Sequence, residues 1–173
     1  MKIEERIIEM YKRIRPMLHL GCGPDIIDGA DNVDMLPVSA KVIKQDCRKL
    51  DYIPSGKYSL IVAHQLLEHL TLKDGACALK EWRRVANEGC TMILSVPFVE
   101  GMIDTMNYKM GETMYAVNAW IYGKEDPGME HKALYSIPLL ELVLKAAKWE
   151  VMEIFENFPK RHTPSVMIIG RAV

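Results

Sequence analysis

The stretch Met17-Leu18-His19-Leu20-Gly21-Cys22-Gly23-Pro24 is followed, only nine residues after Gly23, by Asn32-Val33-Asp34. A largely apolar run that breaks off in Gly-x-Gly reads as a buried strand entering a tight turn. Glycine there tolerates positive φ and lets another group approach the backbone. Val33 begins or lies in a second short strand. Parallel strands are ordinarily joined by about a dozen or more residues, usually a helix. The interval is too short for that, so the first crossover helix is shortened or absent.

The rest of the chain fits around this start. Ile3, Ile7, Ile8, Tyr11 and Ile14 fall at helical spacing, predicting an amphipathic helix over 2–14 that stops before Pro16. Strands are predicted at 17–20, at 41–44 (ending in Gln45-Asp46), at 58–63 and at 91–96. The last two are near-continuous apolar runs, as in strands buried on both faces. A helix over 75–87 carries Ala78, Leu79, Trp82 and Val85 on one side and is stopped by Asn87-Glu-Gly89. A helix over 136–147 has Ser136 as N-cap and Pro138 in its first turn. Strands at 149–155 and 165–172 close the chain. The alternation predicts a three-layer α/β/α sandwich: a Rossmann-like, mostly parallel sheet with an antiparallel C-terminal hairpin.

Residues 98–133 lose this periodicity and are too long for a bare connection. They read as a partly helical insertion within a single domain spanning 1–173. Met102, Met106, Met110 and Met114 suit a lid, since methionine adapts to irregular surfaces. Tyr108, Met110, Met114, Tyr115, Trp120 and Ile121 suit instead a homodimerisation arm; the lid is the preferred reading, and the two are compatible.

The 173 residues carry a formal net charge of −1, so no global field draws in nucleic acid or anionic membrane. Arg83, Arg84, Lys160 and Arg161 are the local basic candidates, too few for a basic stripe. Cys22, Cys47, Cys77 and Cys90 form no CxxC pair or zinc spacing and read as reduced thiols of a cytoplasmic protein. No apolar run approaches the ~20 residues of a membrane span.

The polar residues fall in order at the ends of successive parallel strands: the glycine turn, then Asp34, then Asp46, then His64-Gln65. Open α/β sheets bind ligands at that edge, and a carboxylate closing the second strand suits a ribose diol. This ordered set resembles the class I S-adenosylmethionine-dependent methyltransferases, from about residue 17 onward. Leu18-His-Leu-Gly-Cys-Gly23 resembles their glycine-rich first motif. Tyr58-Ser-Leu-Ile-Val-Ala-His-Gln-Leu-Leu-Glu-His-Leu70 resembles the strand and helix start often written FDxIxxxxVLEHL. Glu88-Gly-Cys-Thr-Met-Ile-Leu-Ser-Val-Pro97 is similar to the fifth strand. Tyr122-Gly123 through Ser136 is similar to the tail of small members that accompany glycosyltransferases or act on sugars and polyketides.

The resemblance implies S-adenosylmethionine as cofactor, S-adenosylhomocysteine as product, and a small-molecule acceptor methylated on oxygen or nitrogen. A nucleic-acid methyltransferase and an inactive binding subunit are the rival readings. Gly21 and Gly23 are implied to receive the methionine end, Asp34 with Met35 the ribose, Asp46 and Cys47 the adenine, and His64-Gln65 to border the methyl. Cys47 is implied to act through its backbone. His19 stands where an acid usually helps hold the cofactor's amino group, and Ser59 replaces the aspartate of the FD pair. With no first crossover helix, the cofactor's carboxylate must be held by loop amides or other residues.

Structural roles compete at each position. Asp34 and Asp46 suit strand-end caps, and Glu68-His69 suit the start of the following helix. His131 is the candidate general base, or a cap for the helix after it. Some methyltransferases hold a divalent ion through Glu-x-x-Glu-His plus a distant His. Gln65-x-x-Glu68-His69 with His131 resembles that array with one carboxylate lost and no second His nearby, so no metal is expected.

Overall fold

The computed structural model describes residues 2–108, 114–124, 126, 128–157 and 163–173, leaving aside the side chains of 106–108 and 114–117. Helix α1 (Ile3–Arg13) precedes strands β1 (Met17–Leu20), β2 (Asp31–Asp34), β3 (Val42–Lys44) and β4 (Tyr58–His64). Helix α2 (Leu72–Val85), strand β5 (Ala86–Pro97), helices α3 (Val99–Tyr108), α4 (Met114–Tyr122) and α5 (Ile137–Ala146), and strands β6 (Trp149–Glu156) and β7 (Ser165–Ala172) complete the order. One seven-stranded sheet runs β3-β2-β1-β4-β5-β7-β6. Its first five strands are parallel, and β7 pairs antiparallel with both β5 and β6. The chain winds outward from β1 to β3, then returns to the other side of β1 as β4. That reversal opens a crevice at the carboxyl ends of β1 and β4.

Side-chain alternation divides the core between the two faces. Leu18, Leu20, Ile61, Ala63, Met92 and Leu94 point to the face covered by α2 and α5, where Trp82, Leu79, Leu140 and Leu144 are buried. Met17, Leu60, Val62, Ile93 and Met167 point to the other face, covered by Ile3, Ile7 and Met10 of α1 and by Ile27 and Ala30.

No helix joins β1 to β2, as the spacing predicts. The middle of the loop between them is held chiefly by Asn32. Asn32 Nδ2 donates to the carbonyls of Ile27 and Ala30 at 3.0 and 3.1 Å, and its Oδ1 accepts from Ile27 N at 3.0 Å. Asn32 thus supplies to this loop the backbone partners that a helix would have supplied to itself.

Three expectations are corrected. The helix expected over 75–87 starts earlier, at Leu72, because Thr71 caps it by accepting from Asp74 N at 3.1 Å. It ends at Val85, and Ala86 already pairs with Tyr58 as part of β5. The register then shifts, Leu60 facing Thr91, and Gly89 turns at φ +74° within the irregularity. Glu68 and His69 do not open α2; they lie in a separate 3-10 turn, Leu67–His69, ahead of its cap. Trp120, expected at a homodimer arm, is buried within the chain against Met102 and Ile121. Met110 and the side chains of Met106, Tyr108, Met114 and Tyr115 lie outside the described residues. Among the described residues no helix is long and apolar enough to cross a membrane.

Candidate functional site

At the end of β1 the backbone turns through Gly21 at φ +60° and Gly23 at φ +49°. Both lie in the left-handed region that side chains disfavour. The reasons for glycine differ. A Cβ on Gly21 would lie 2.7 Å from Leu66 Cδ1, whereas one on Gly23 would meet nothing within 4 Å. Gly23 therefore presents bare backbone to open space at the mouth of the crevice.

Asp34 closes the adjacent strand and is joined to that turn. Its Oδ2 accepts from Gly23 N at 2.9 Å, and its Oδ1 from Leu36 N at 2.8 Å. An ionised carboxylate offers about four lone-pair positions, so Asp34 retains capacity for a diol. Met35 beside it is 53% exposed, an apolar surface next to the acid.

His64 and Gln65 stand one strand over. Tyr11 of α1 is hydrogen-bonded to His64 Nε2 at 2.6 Å, and His64 Nδ1 to Ser95 Oγ at 2.9 Å. Gln65 takes φ +50°, a conformation unusual for a side-chain-bearing residue and typical of sites under functional constraint. Its backbone N donates to Ser95 O at 2.8 Å, which fixes the bend. Tyr11 and Ser95 were not foreseeable from the motif: one arrives on a packed helix, the other by strand pairing.

Two expected residues are otherwise engaged. His19 is buried on β1, and its Nδ1 lies 3.1 Å from Asn32 Oδ1. It shares the α1 face with Met17, within electrostatic reach of Asp25 and Asp34, and burial pulls its pKa down despite those acids. The Asp46 carboxylate receives Arg48 Nε at 2.9 and 3.0 Å, Arg48 Nη2 at 2.6 Å and Arg48 N at 2.8 Å. Those bonds hold it below the usual carboxylate range. Cys47 is buried, its thiol pushed up to about 12 by burial, while its carbonyl accepts from Trp82 Nε1 at 2.9 Å. Backbone contact is what remains open to Cys47.

His131 lies in a different neighbourhood. Its Nδ1 is 2.8 Å from Trp120 O, and its ring stands 5.2 Å from that of His69. Burial lowers its pKa as well.

No known protein family matches this sequence, and no curated protein does. Solved structures do match in shape. A S-adenosylmethionine-dependent methyltransferase from Methanosarcina mazei superposes with a TM-score of 0.69 at 14% identity, over 96% of this chain and 97% of the other. The 1,6-didemethyltoxoflavin-N1-methyltransferase of Burkholderia thailandensis, bound to its substrate and S-adenosylhomocysteine, gives 0.64 at 12% identity over 91% and 70%. The cyclase SpnF gives 0.60 at 13% identity over 97% and 80%. The chain has the class I methyltransferase fold. One neighbour being a cyclase shows that the fold alone does not dictate the chemistry.

Proposed function

We propose that this chain transfers a methyl group from S-adenosylmethionine to an oxygen or nitrogen of a small molecule. The observation that carries the reading is the coupled pair at the crevice: a bare glycine turn after β1 joined to an acid after β2. A nucleoside fits this arrangement, because the turn admits close backbone approach and the acid keeps lone pairs for a ribose.

Bound S-adenosylmethionine would supply a sulfonium-activated methyl group, leaving S-adenosylhomocysteine. Asp34 would accept from the ribose hydroxyls, with Met35 as adjoining apolar surface. The backbone at Gly21 and Gly23 would receive the methionine end, and the backbone at Cys47 would border the adenine. His64 and Gln65, fixed by Tyr11 and Ser95, would border the methyl. In-line displacement gains chiefly from holding the reactants in line, so no residue is assigned as base. The near-neutral charge and lack of a basic stripe favour a small acceptor such as a sugar or natural product over nucleic acid.

The test is calorimetric titration of the chain with S-adenosylmethionine and S-adenosylhomocysteine, followed by radiolabelled methyl transfer to a panel of sugars, phenols and amines. Binding and transfer are expected. Absence of binding by both ligands overturns the reading; binding without transfer to any acceptor favours a non-catalytic subunit.

A further inference from the structure

Outside the crevice residues, three metal-ligating side chains from distant parts of the chain converge. Glu68, His69 and His131 each offer a ligand atom, and all three atoms lie within 4.8 Å of one another. The convergence is set by backbone. Lys132 N and Ala133 N both donate to Glu68 O, at 2.8 and 3.2 Å, which pins the segment carrying His131 against the 3-10 turn.

The imidazoles are also oriented. His69 Nδ1 lies 3.1 Å from Glu130 O, and His131 Nδ1 lies 2.8 Å from Trp120 O. A carbonyl only accepts, so each Nδ1 carries the proton and each neutral ring keeps its lone pair on Nε2. Backbone carbonyls orient ligating histidines in metal sites in this way, fixing the tautomer through the nitrogen that does not bind. The rings meet edge-on at 64° rather than stacking. Glu68 is buried, while the two histidines are partly exposed.

We propose that Glu68, His69 and His131 form a site for one divalent transition-metal ion of the zinc type. The ligands are the Glu68 carboxylate and the two Nε2 atoms, and a further position stays open to water or another oxygen donor. Two imidazoles with one carboxylate suit zinc, cobalt or iron; calcium and magnesium take oxygen ligands almost throughout. Around a tetrahedral ion with bonds near 2.1 Å the ligand atoms lie about 3.4 Å apart. Binding would draw the three side chains, which offer ligand atoms within 4.8 Å of one another, to that spacing. The expectation of no metal rested on the lack of a second histidine nearby in the sequence and on glutamine at 65, where an acid would complete a longer ligand set. The site stands without that residue, whose Nε2 donates to Ser165 Oγ at 3.4 Å. His131 is then a ligand rather than a proton acceptor.

The test is metal binding by the full chain after chelator treatment, with no cofactor present, so its outcome is separate from methyl transfer. Titration with Co2+ is expected to give visible d–d bands saturating at one equivalent, without a thiolate charge-transfer band, and Zn2+ to displace it. His69→Asn and His131→Asn, at partly exposed positions, are each expected to weaken Zn2+ by more than the roughly 10–100-fold lost when only an outer partner is removed. Glu68→Gln is expected to do the same, with circular dichroism confirming that it folds. No stoichiometric binding, a thiolate band, or unchanged affinity in both histidine variants overturns the proposal.

Discussion

The amide of Gly23 donates to the carboxylate of Asp34 at 2.9 Å, so the acid that closes the second strand is part of the turn that closes the first. The proposed ribose contact and the turn geometry therefore share this residue. Asp34→Ala removes the acceptor for Gly23 N and Leu36 N together with the candidate ribose contact. Hydrogen bonds to charged groups contribute about 1.5–3 kcal/mol each, so affinity for S-adenosylmethionine should fall by roughly 10–100-fold. Asp34→Asn keeps one acceptor oxygen for the turn and separates the two effects. It should lose affinity while shifting the urea midpoint less than alanine does. Unchanged affinity in both variants, measured by calorimetry, sinks the assignment of the crevice.

The two glycines of the turn should respond differently to a methyl group. Gly21→Ala meets both a positive φ and the Leu66 side chain, 2.7 Å from the new Cβ. Gly23→Ala meets only the positive φ, which costs about 1–2 kcal/mol. Gly21→Ala is expected to lower the urea midpoint more, and Leu66→Ala in the same chain should recover part of that difference. Gly23→Ala should instead act on cofactor affinity, because its methyl enters the open face. Equal loss of stability in the two variants would contradict the packing described.

Trp82 fastens α2 to the segment after β3. It is fully buried, and its Nε1 donates to Cys47 O at 2.9 Å. Trp82→Phe retains most of the apolar volume but leaves that carbonyl without its donor, a loss of about 1–3 kcal/mol. Denaturant unfolding should show it as a lower midpoint with an unchanged m-value. Because Cys47 is the proposed border of the adenine, affinity for S-adenosylmethionine is expected to weaken too. A variant as stable as the parent would mean that water replaces the indole.

The parts of the fold that could be read from the sequence are those governed by local pattern. Strands β1, β4 and β5 show themselves as apolar runs because both of their faces are covered, and the missing crossover helix follows from counting residues between Gly23 and Asn32. What replaces the helix could not be read, because the bonds of Asn32 reach residues that only the folded loop brings close. An asparagine inside a strand, where its type is depleted, was the one available hint. Ala86–Gly89 misleads because Asn-Glu-Gly has the composition of a helix stop, yet Ala86 pairs with Tyr58. Arg48 engaging Asp46 is equally invisible: the motif names the acid but not the neighbour that occupies it. The grouping of Glu68, His69 and His131 was legible only through the resemblance to metal-holding methyltransferases; the backbone bonds from Lys132 N and Ala133 N to Glu68 O that bring the two segments together were not.

His19 gives the chain a defined sensitivity to acid. The carbonyls of Ile27 and Ala30 fix which end of the Asn32 amide is nitrogen, so Oδ1 faces His19 and accepts from its Nδ1–H. A second proton would have to sit on a buried ring, and burial accordingly lowers the pKa. The unfolded chain titrates near the ordinary value of about 6.5. Below that value the unfolded state binds a proton the folded state resists, so stability rises with pH across this window. The contribution is complete above about 6.5 and declines as pH falls toward the lowered folded value. Asp46 and Glu81, held low by hydrogen bonds from arginines, act only at more acidic pH. Urea midpoints should therefore fall between about pH 7.5 and 5.5, the His19 contribution to stability declining by at most ~1.4 kcal/mol per pH unit. His19→Gln should be less stable at the upper pH yet show a shallower decline. Parallel pH profiles for parent and variant would mean that His19 does not set the slope.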